Sequence, residues 1–171
     1  MNPEEINSDF CSFYLKEPKI RLWKDTVLKS GCKIDSIKPM NLYYKSNGEL
    51  LFALLSVDAT APDGNKLPSI IFIRGHASIV VPLVKNRDTE EEQYLMVKQR
   101  RIASGEICLE FPAGMLDTNI DNPINVAMTE LFEETGLLLP ENELFPLSDS
   151  LLYSSPGASD EGIYYFGCRI I

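Results

Sequence analysis

Glu110-Phe-Pro-Ala-Gly-Met-Leu-Asp-Thr-Asn-Ile-Asp-Asn-Pro-Ile-Asn-Val-Ala-Met-Thr-Glu-Leu-Phe-Glu-Glu-Thr-Gly-Leu137 is the stretch on which the reading of this chain turns. It reads as a short strand, a loop and a capped helix. Asn122 is a good N-cap, Pro123 suits the first helical position, where no N–H is needed, and Gly136 can adopt the left-handed conformation that stops a helix. The helix is therefore expected over Pro123–Thr135. At about 100° per residue, Glu130, Glu133 and Glu134 share an arc of about 100°, while Ile124, Met128, Leu131 and Phe132 lie opposite. Such a helix should bury its apolar side and turn its carboxylates outward together. Val126, one turn before Glu130, is the exception on the carboxylate side.

Like charges three and four residues apart repel by a few tenths of a kcal/mol each, and carboxylates near a helix C-terminus oppose the macrodipole. Helix stability alone would not select this pattern. A solvated acidic face is the plain explanation. A bound Mg²⁺ is the functional one, because it takes oxygen ligands and keeps waters for substrate phosphate.

Glu130-Leu-Phe-Glu-Glu-Thr-Gly-Leu137 resembles the second half of the Nudix box, G-x5-E-x7-R-E-U-x-E-E-x-G-U, where U is bulky and apolar. Leu109-Glu-Phe-Pro-Ala-Gly-Met-Leu-Asp117 is similar to the strand and loop entering that box in ADP-sugar and ADP-ribose diphosphatases, and Ser155-Pro-Gly-Ala-Ser-Asp-Glu161 to a downstream Ser-Pro-Gly…Glu segment. There are departures. Counting back from the helix, the box's first Gly falls at Met115, one residue after Gly114, so the loop holds an extra residue. The first Glu of the box falls at Asp121, and the Arg before Glu130 is Thr129. In the family that Arg orients a metal-binding glutamate by an ion pair, which Thr cannot supply.

The resemblance implies an α+β fold, an α/β/α sandwich around a mixed sheet, preceded over residues 1–74 by a helix and a small antiparallel sheet, an element that often helps build a homodimer. The Nudix domain would be 75–171. By the same likeness the fold should continue with further strand and a second long helix, so the chain reads as short at its C-terminal end. The implied reaction is Mg²⁺-dependent hydrolysis of the diphosphate of a nucleotide sugar, with Mn²⁺ as the alternative ion. Glu130, Glu134 and the carbonyl of Ala113 would be the metal ligands, and Glu133 and Glu134 the catalytic carboxylates. Arg101, Glu110, Pro156, Gly157 and Glu161 would bind substrate; Arg74-Gly75 is better read as a structural ion pair. The general base usually lies further downstream. The competing class is a weak or non-catalytic Nudix-fold module that binds nucleotide or protein.

Composition agrees with a single globular domain, with room for a small appendage: 171 residues, 44% of them apolar and 24% charged. The net charge of −9 argues against nucleic acid as a partner. No apolar run nears eighteen residues and no leader-like segment follows Met1, so neither a membrane span nor secretion is expected. Cys11, Cys32, Cys108 and Cys168 stand far apart, as reduced cysteines of a cytoplasmic protein do. His76, the single histidine, has no nucleophile-elbow sequence to serve, and a structural or substrate-edge role fits it better.

Elsewhere, apolar residues at helical spacing predict a helix over Pro18–Lys29, with Gly31 as its stop. Strand-like runs at Lys33–Tyr44 and Glu49–Asp58 flank Ser46-Asn47-Gly48, a strong hairpin signal. Further strands are expected at Leu67–Arg74, Ala77–Val84, Tyr94–Arg101, Ile107–Phe111, Leu147–Tyr153 and Gly162–Ile171, with loops at 86–93 and 141–146.

Overall fold

The computed structural model describes residues 14–117 and 121–171. Phe10 and Phe13, candidates for local packing, lie outside them. The described residues divide into two units: those up to Gly75 together with Tyr153–Glu161, and His76–Leu152 together with Gly162–Ile171. No helix among them is long and apolar enough to cross a membrane.

In the first unit, helix α1 (Pro18–Lys29) begins with Pro at its first turn and ends at Ser30, whose N–H returns to Thr26 O. It packs Ile20 fully into a core with Leu50, Ala53, Leu55 and Ile73. Strands β1 (Lys33–Tyr44), β2 (Leu50–Thr60) and β3 (Ile70–Ile73) form an antiparallel sheet in that order. The β1–β2 turn closes through Gly48 N–H to Lys45 O, with Gly48 at φ 87°. Strand β3 is shorter than the expected Leu67–Arg74, since Pro68 has no N–H to give a ladder. Its other edge is taken by the Ser-Pro-Gly segment: Phe72 N–H donates to Ala158 O at 2.8 Å. The buried Asp160 carboxylate then accepts the N–H groups of Arg74 at 2.7 Å and Gly75 at 3.1 Å.

The second unit is built on β4 (Ala77–Lys85), whose near-continuous apolar run is what a strand covered on both faces requires. It contains β5 (Glu92–Tyr94), β6 (Val97–Arg100), β7 (Ile107–Glu110), β8 (Ala113–Met115), helix α2 (Pro123–Thr135), β9 (Phe145–Pro146), the first residue of β10 (Leu152–Tyr153) and β11 (Gly162–Ile170). The main sheet runs β10-β11-β4-β5, with β8 on β4 and β9 on β11, while β6 and β7 make a separate hairpin. Because β11 runs parallel to β4 and the other defined neighbours antiparallel, the sheet is mixed. The fold is α+β, as the motifs predict.

Further boundaries differ from expectation, among them Phe145–Pro146, expected as loop but paired antiparallel to β11 at Gly167 and Phe166. Tyr94–Arg101 is two strands, because β5 pairs with β4 and β6 pairs with β7, with Leu95 N–H reaching Pro82 O between them. Leu147–Tyr153 is strand only at its end; Ser148 accepts from Ser150 N–H and donates to Ser150 O, a local turn that competes with a ladder. Ala113–Met115, read as loop after Pro112, is a strand paired to β4, Ser78 opposite Gly114.

Helix α2 has the predicted ends. Asn122 accepts from Asn125 N–H at 3.2 Å, and Gly136, at φ 77°, donates to Phe132 O at 2.8 Å. Its Ala127 and Leu131 pack against Val80, Phe166 and Cys168. The expected faces need correcting, however: Phe132 is 51% exposed, while Val126, on the carboxylate side, is only 6% exposed. The helix presses partly on its carboxylate side, against β8. Replacing Asn122 with Ala removes one satisfied orphan N–H and is expected to cost about 1 kcal/mol, read as a lowered urea midpoint with unchanged slope.

Candidate active site

The residues around the N-terminal half of β8 explain why α2 leans on its acidic side. Gly114 faces Glu130 so closely that a Cβ there would lie 1.8 Å from Glu130 Oε1 and 2.1 Å from its Cδ. Only glycine leaves this space, so the carboxylate of Glu130 occupies the volume a side chain at 114 would fill. The position that must lack a side chain beside Glu130 is thus Gly114, one residue before Met115, where counting from the helix puts the box's glycine.

Burial raises the pKa of Glu130, and the charges of Glu133, Glu134 and Asp117 raise it further. Asp117 holds a left-handed backbone, φ 45°, at the end of the same turn. Three negative charges thus bear on the Glu130 carboxylate, a load that a cation beside it would relieve.

Glu134 is held at both oxygens. Gln99 Nε2 donates to Oε1 at 2.6 Å from β6, and Ala113 N–H donates to Oε2 at 3.2 Å from β8. Ala113, expected to serve through its carbonyl, meets the cluster through its N–H. Glu133 is exposed. Thr129, where the box has Arg, turns its hydroxyl back to Asn125 O at 2.9 Å and leaves the carboxylates alone.

Arg101 and Glu110, two expected substrate residues, grip each other. Nε donates to Oε1 at 2.8 Å and an Nη to Oε2 at 2.5 Å, a bidentate fork. That contact holds the Glu110 carboxyl below its usual range and raises the arginine, which the Glu134 charge raises further. Both groups are substantially solvent-exposed, so the pair contributes at most about 1 kcal/mol and can open readily.

The second unit thus brings together Glu130, Glu133, Glu134, Ala113, Arg101 and Glu110. Pro156, Gly157 and Glu161 belong to the first unit. There Pro156 and Gly157 help line an apolar groove of about 180 Å³ with Trp23, Val27 and Ile70. Glu161 Oε1 lies 3.0 Å from Arg74 Nε, an ion pair without good hydrogen-bond alignment, and Glu161 Oε2 accepts from Ser154 Oγ. The structural ion pair expected of Arg74 is present. His76 is structural: its Nδ1 accepts Gly162 N–H at 3.1 Å, which places the ring proton on Nε2 in the neutral form. Asp117 and Asp160 carry no local signal in the sequence for these contacts. Gln99 carried one signal, its place two residues before Arg101 on one strand.

The donor chemistry fits a hard divalent cation, all oxygen and mutually repelling. Among the described residues, no three His, Cys, Asp or Glu side chains already stand together in a cage for one.

Comparison with known proteins gives the same direction. No protein-family profile matches the chain. It is 32% identical over 138 residues to Nudix hydrolase 14, chloroplastic, of Arabidopsis thaliana, covering 76% of this chain and 43% of that protein. It is 42% identical over 57 residues to the ADP-sugar pyrophosphatase of Mus musculus, covering 33% of this chain and 25% of that protein. The chain therefore spans less than half the length of these curated relatives. In fold it matches a crystal structure of an ADP compounds hydrolase with a TM-score of 0.52 at 19% identity, over 81% of this chain and 69% of that one.

Proposed function

Since this chain belongs to the Nudix hydrolase family, we propose that it hydrolyses the diphosphate of a nucleotide sugar of the ADP-ribose or ADP-glucose class, giving a nucleoside monophosphate and a sugar phosphate. The observation that carries this reading is the Glu130 carboxylate seated over Gly114 beside Glu133, Glu134 and Asp117. Nothing in helix stability rewards that crowding. Glu130 and Glu134 would hold Mg²⁺, or Mn²⁺ in its place, with Glu133 beside them. The bound ion supplies charge neutralisation at the diphosphate and a more acidic water.

Arg101 would move from Glu110 to a phosphate, trading one bidentate carboxylate contact for another bidentate anion contact. Glu110, released, can accept from a ribose hydroxyl or a metal-bound water. Arg101→Ala is expected to raise KM for ADP-ribose about tenfold with a smaller change in kcat, as loss of a contact made in both ground and transition states does. Steady-state kinetics check it.

A binding module without turnover is the second reading. Thr129 and the lack of a ready acidic cage among the described residues favour it. Release of AMP from ADP-ribose and ADP-glucose, with Mg²⁺ and again with excess chelator, separates the two. Chelator-sensitive release supports the hydrolase. No release from either substrate, together with no binding of Mg²⁺ or Mn²⁺, leaves the binding module.

A further inference from the structure

We propose that Gln99 is the positioning residue for Glu134, doing from the neighbouring strand what Thr129 cannot do from the helix. The inference rests on the metal site proposed above and adds to it a residue outside the box. Glu134 needs an anchor, since Glu130 and Glu133 surround it on the same helical turn and repel it toward solvent. Thr129 gives none, its hydroxyl being spent on Asn125 O at 2.9 Å.

Gln99 does supply one. An ionised carboxylate only accepts, so the group 2.6 Å from Glu134 Oε1 must be the amide nitrogen, and its orientation is fixed by that chemistry. Ala113 N–H holds the other oxygen at 3.2 Å. Two donors on two oxygens fix the plane of the carboxylate, and each oxygen keeps a lone pair for a cation. Gln99 itself is only half-buried and sits in a four-residue strand, so its contact with Glu134 is not a by-product of core packing. A neutral amide has one advantage over arginine here: it orients the acid without adding a positive charge that competes with the ion.

The test uses the whole chain and Mn²⁺ alone as probe. In the metal-free protein, the side-chain amide resonance of Gln99 should stand away from free-glutamine values and return to them in Glu134→Ala. Gln99→Met keeps side-chain length and removes the donor. It should leave the thermal midpoint unchanged and weaken Mn²⁺ affinity about tenfold by calorimetry, the loss usual for a partner that orients a metal ligand. Turnover of ADP-ribose at saturating Mn²⁺ should fall through kcat with KM nearly unchanged.

Wild-type Mn²⁺ affinity in Gln99→Met, or a Gln99 resonance indifferent to Glu134→Ala, overturns the positioning role while leaving the metal site standing. Failure of the wild-type chain to bind Mn²⁺ overturns the metal site, and the role of Gln99 with it. The two failures are read in different proteins, so they cannot be confused.

Discussion

Gly114→Ala is expected to lower Mg²⁺-dependent turnover about a hundredfold while the protein stays folded. The added Cβ would meet Glu130 Oε1 at 1.8 Å, Cδ at 2.1 Å and Cγ at 2.5 Å, distances at which something must move. What moves is the end of a flexible side chain, not backbone. The carboxylate swings out of its seat, and the strand pairing of Gly114 opposite Ser78 persists. Stability should therefore change by only about 1 kcal/mol, at the low end of overpacking costs. The chemistry should not recover, because a displacement of about 1 Å in a reacting constellation is enough for a hundredfold loss. Chemical denaturation and AMP release, measured on the same preparation, give the two numbers. Near-wild-type turnover would mean that Glu130 does not act from where it sits.

The largest expected loss of stability comes from Leu131→Ala. Leu131 is fully buried between Ala127 of its own helix and Val80, Phe166 and Cys168 of the sheet. Truncation removes the apolar contact and leaves a cavity that the strands cannot close, at a cost of about 2–5 kcal/mol. Against a total stability of about 5–15 kcal/mol, that is a substantial share. Phe132→Ala, one residue on, should cost less than about 1 kcal/mol, since its ring is 51% exposed. Guanidinium unfolding of both variants tests the pair. Equal losses would restore the helical wheel in which both residues face the core.

That contrast shows where sequence reading stops. The ends of α2 were legible to the residue, because Asn122, Pro123 and Gly136 act locally through their own backbone groups. The β1–β2 hairpin was legible for the same reason, through Asn47-Gly48. Which side of α2 is buried was not, because it depends on the missing Cβ of a glycine on another strand. Strand β8 has no local signature, because three residues after a proline carry no periodicity and their partner β4 lies far back in the chain. In the site, Glu130, Glu133 and Glu134 were visible from helical spacing. Their restraints were not: Gln99 and the N–H of Ala113 reach Glu134 across the fold, and the place of Gln99 two residues before Arg101 does not say which acid it would meet. The Arg101–Glu110 fork was half visible, each residue noted singly and neither as the other's partner.

The parallel pairing of β4 with β11 bears on how the molecule comes off the ribosome. His76 must wait for Gly162, 86 positions later, before its ring nitrogen is satisfied. Strand β3 likewise waits for Ala158. The outer edge of β3 and one side of β4 therefore stay unpaired until residues 158–170 have been made. Distant closure of this kind folds slowly. A chain that holds two strand edges open in this way should yield more folded protein when it is expressed slowly and cold.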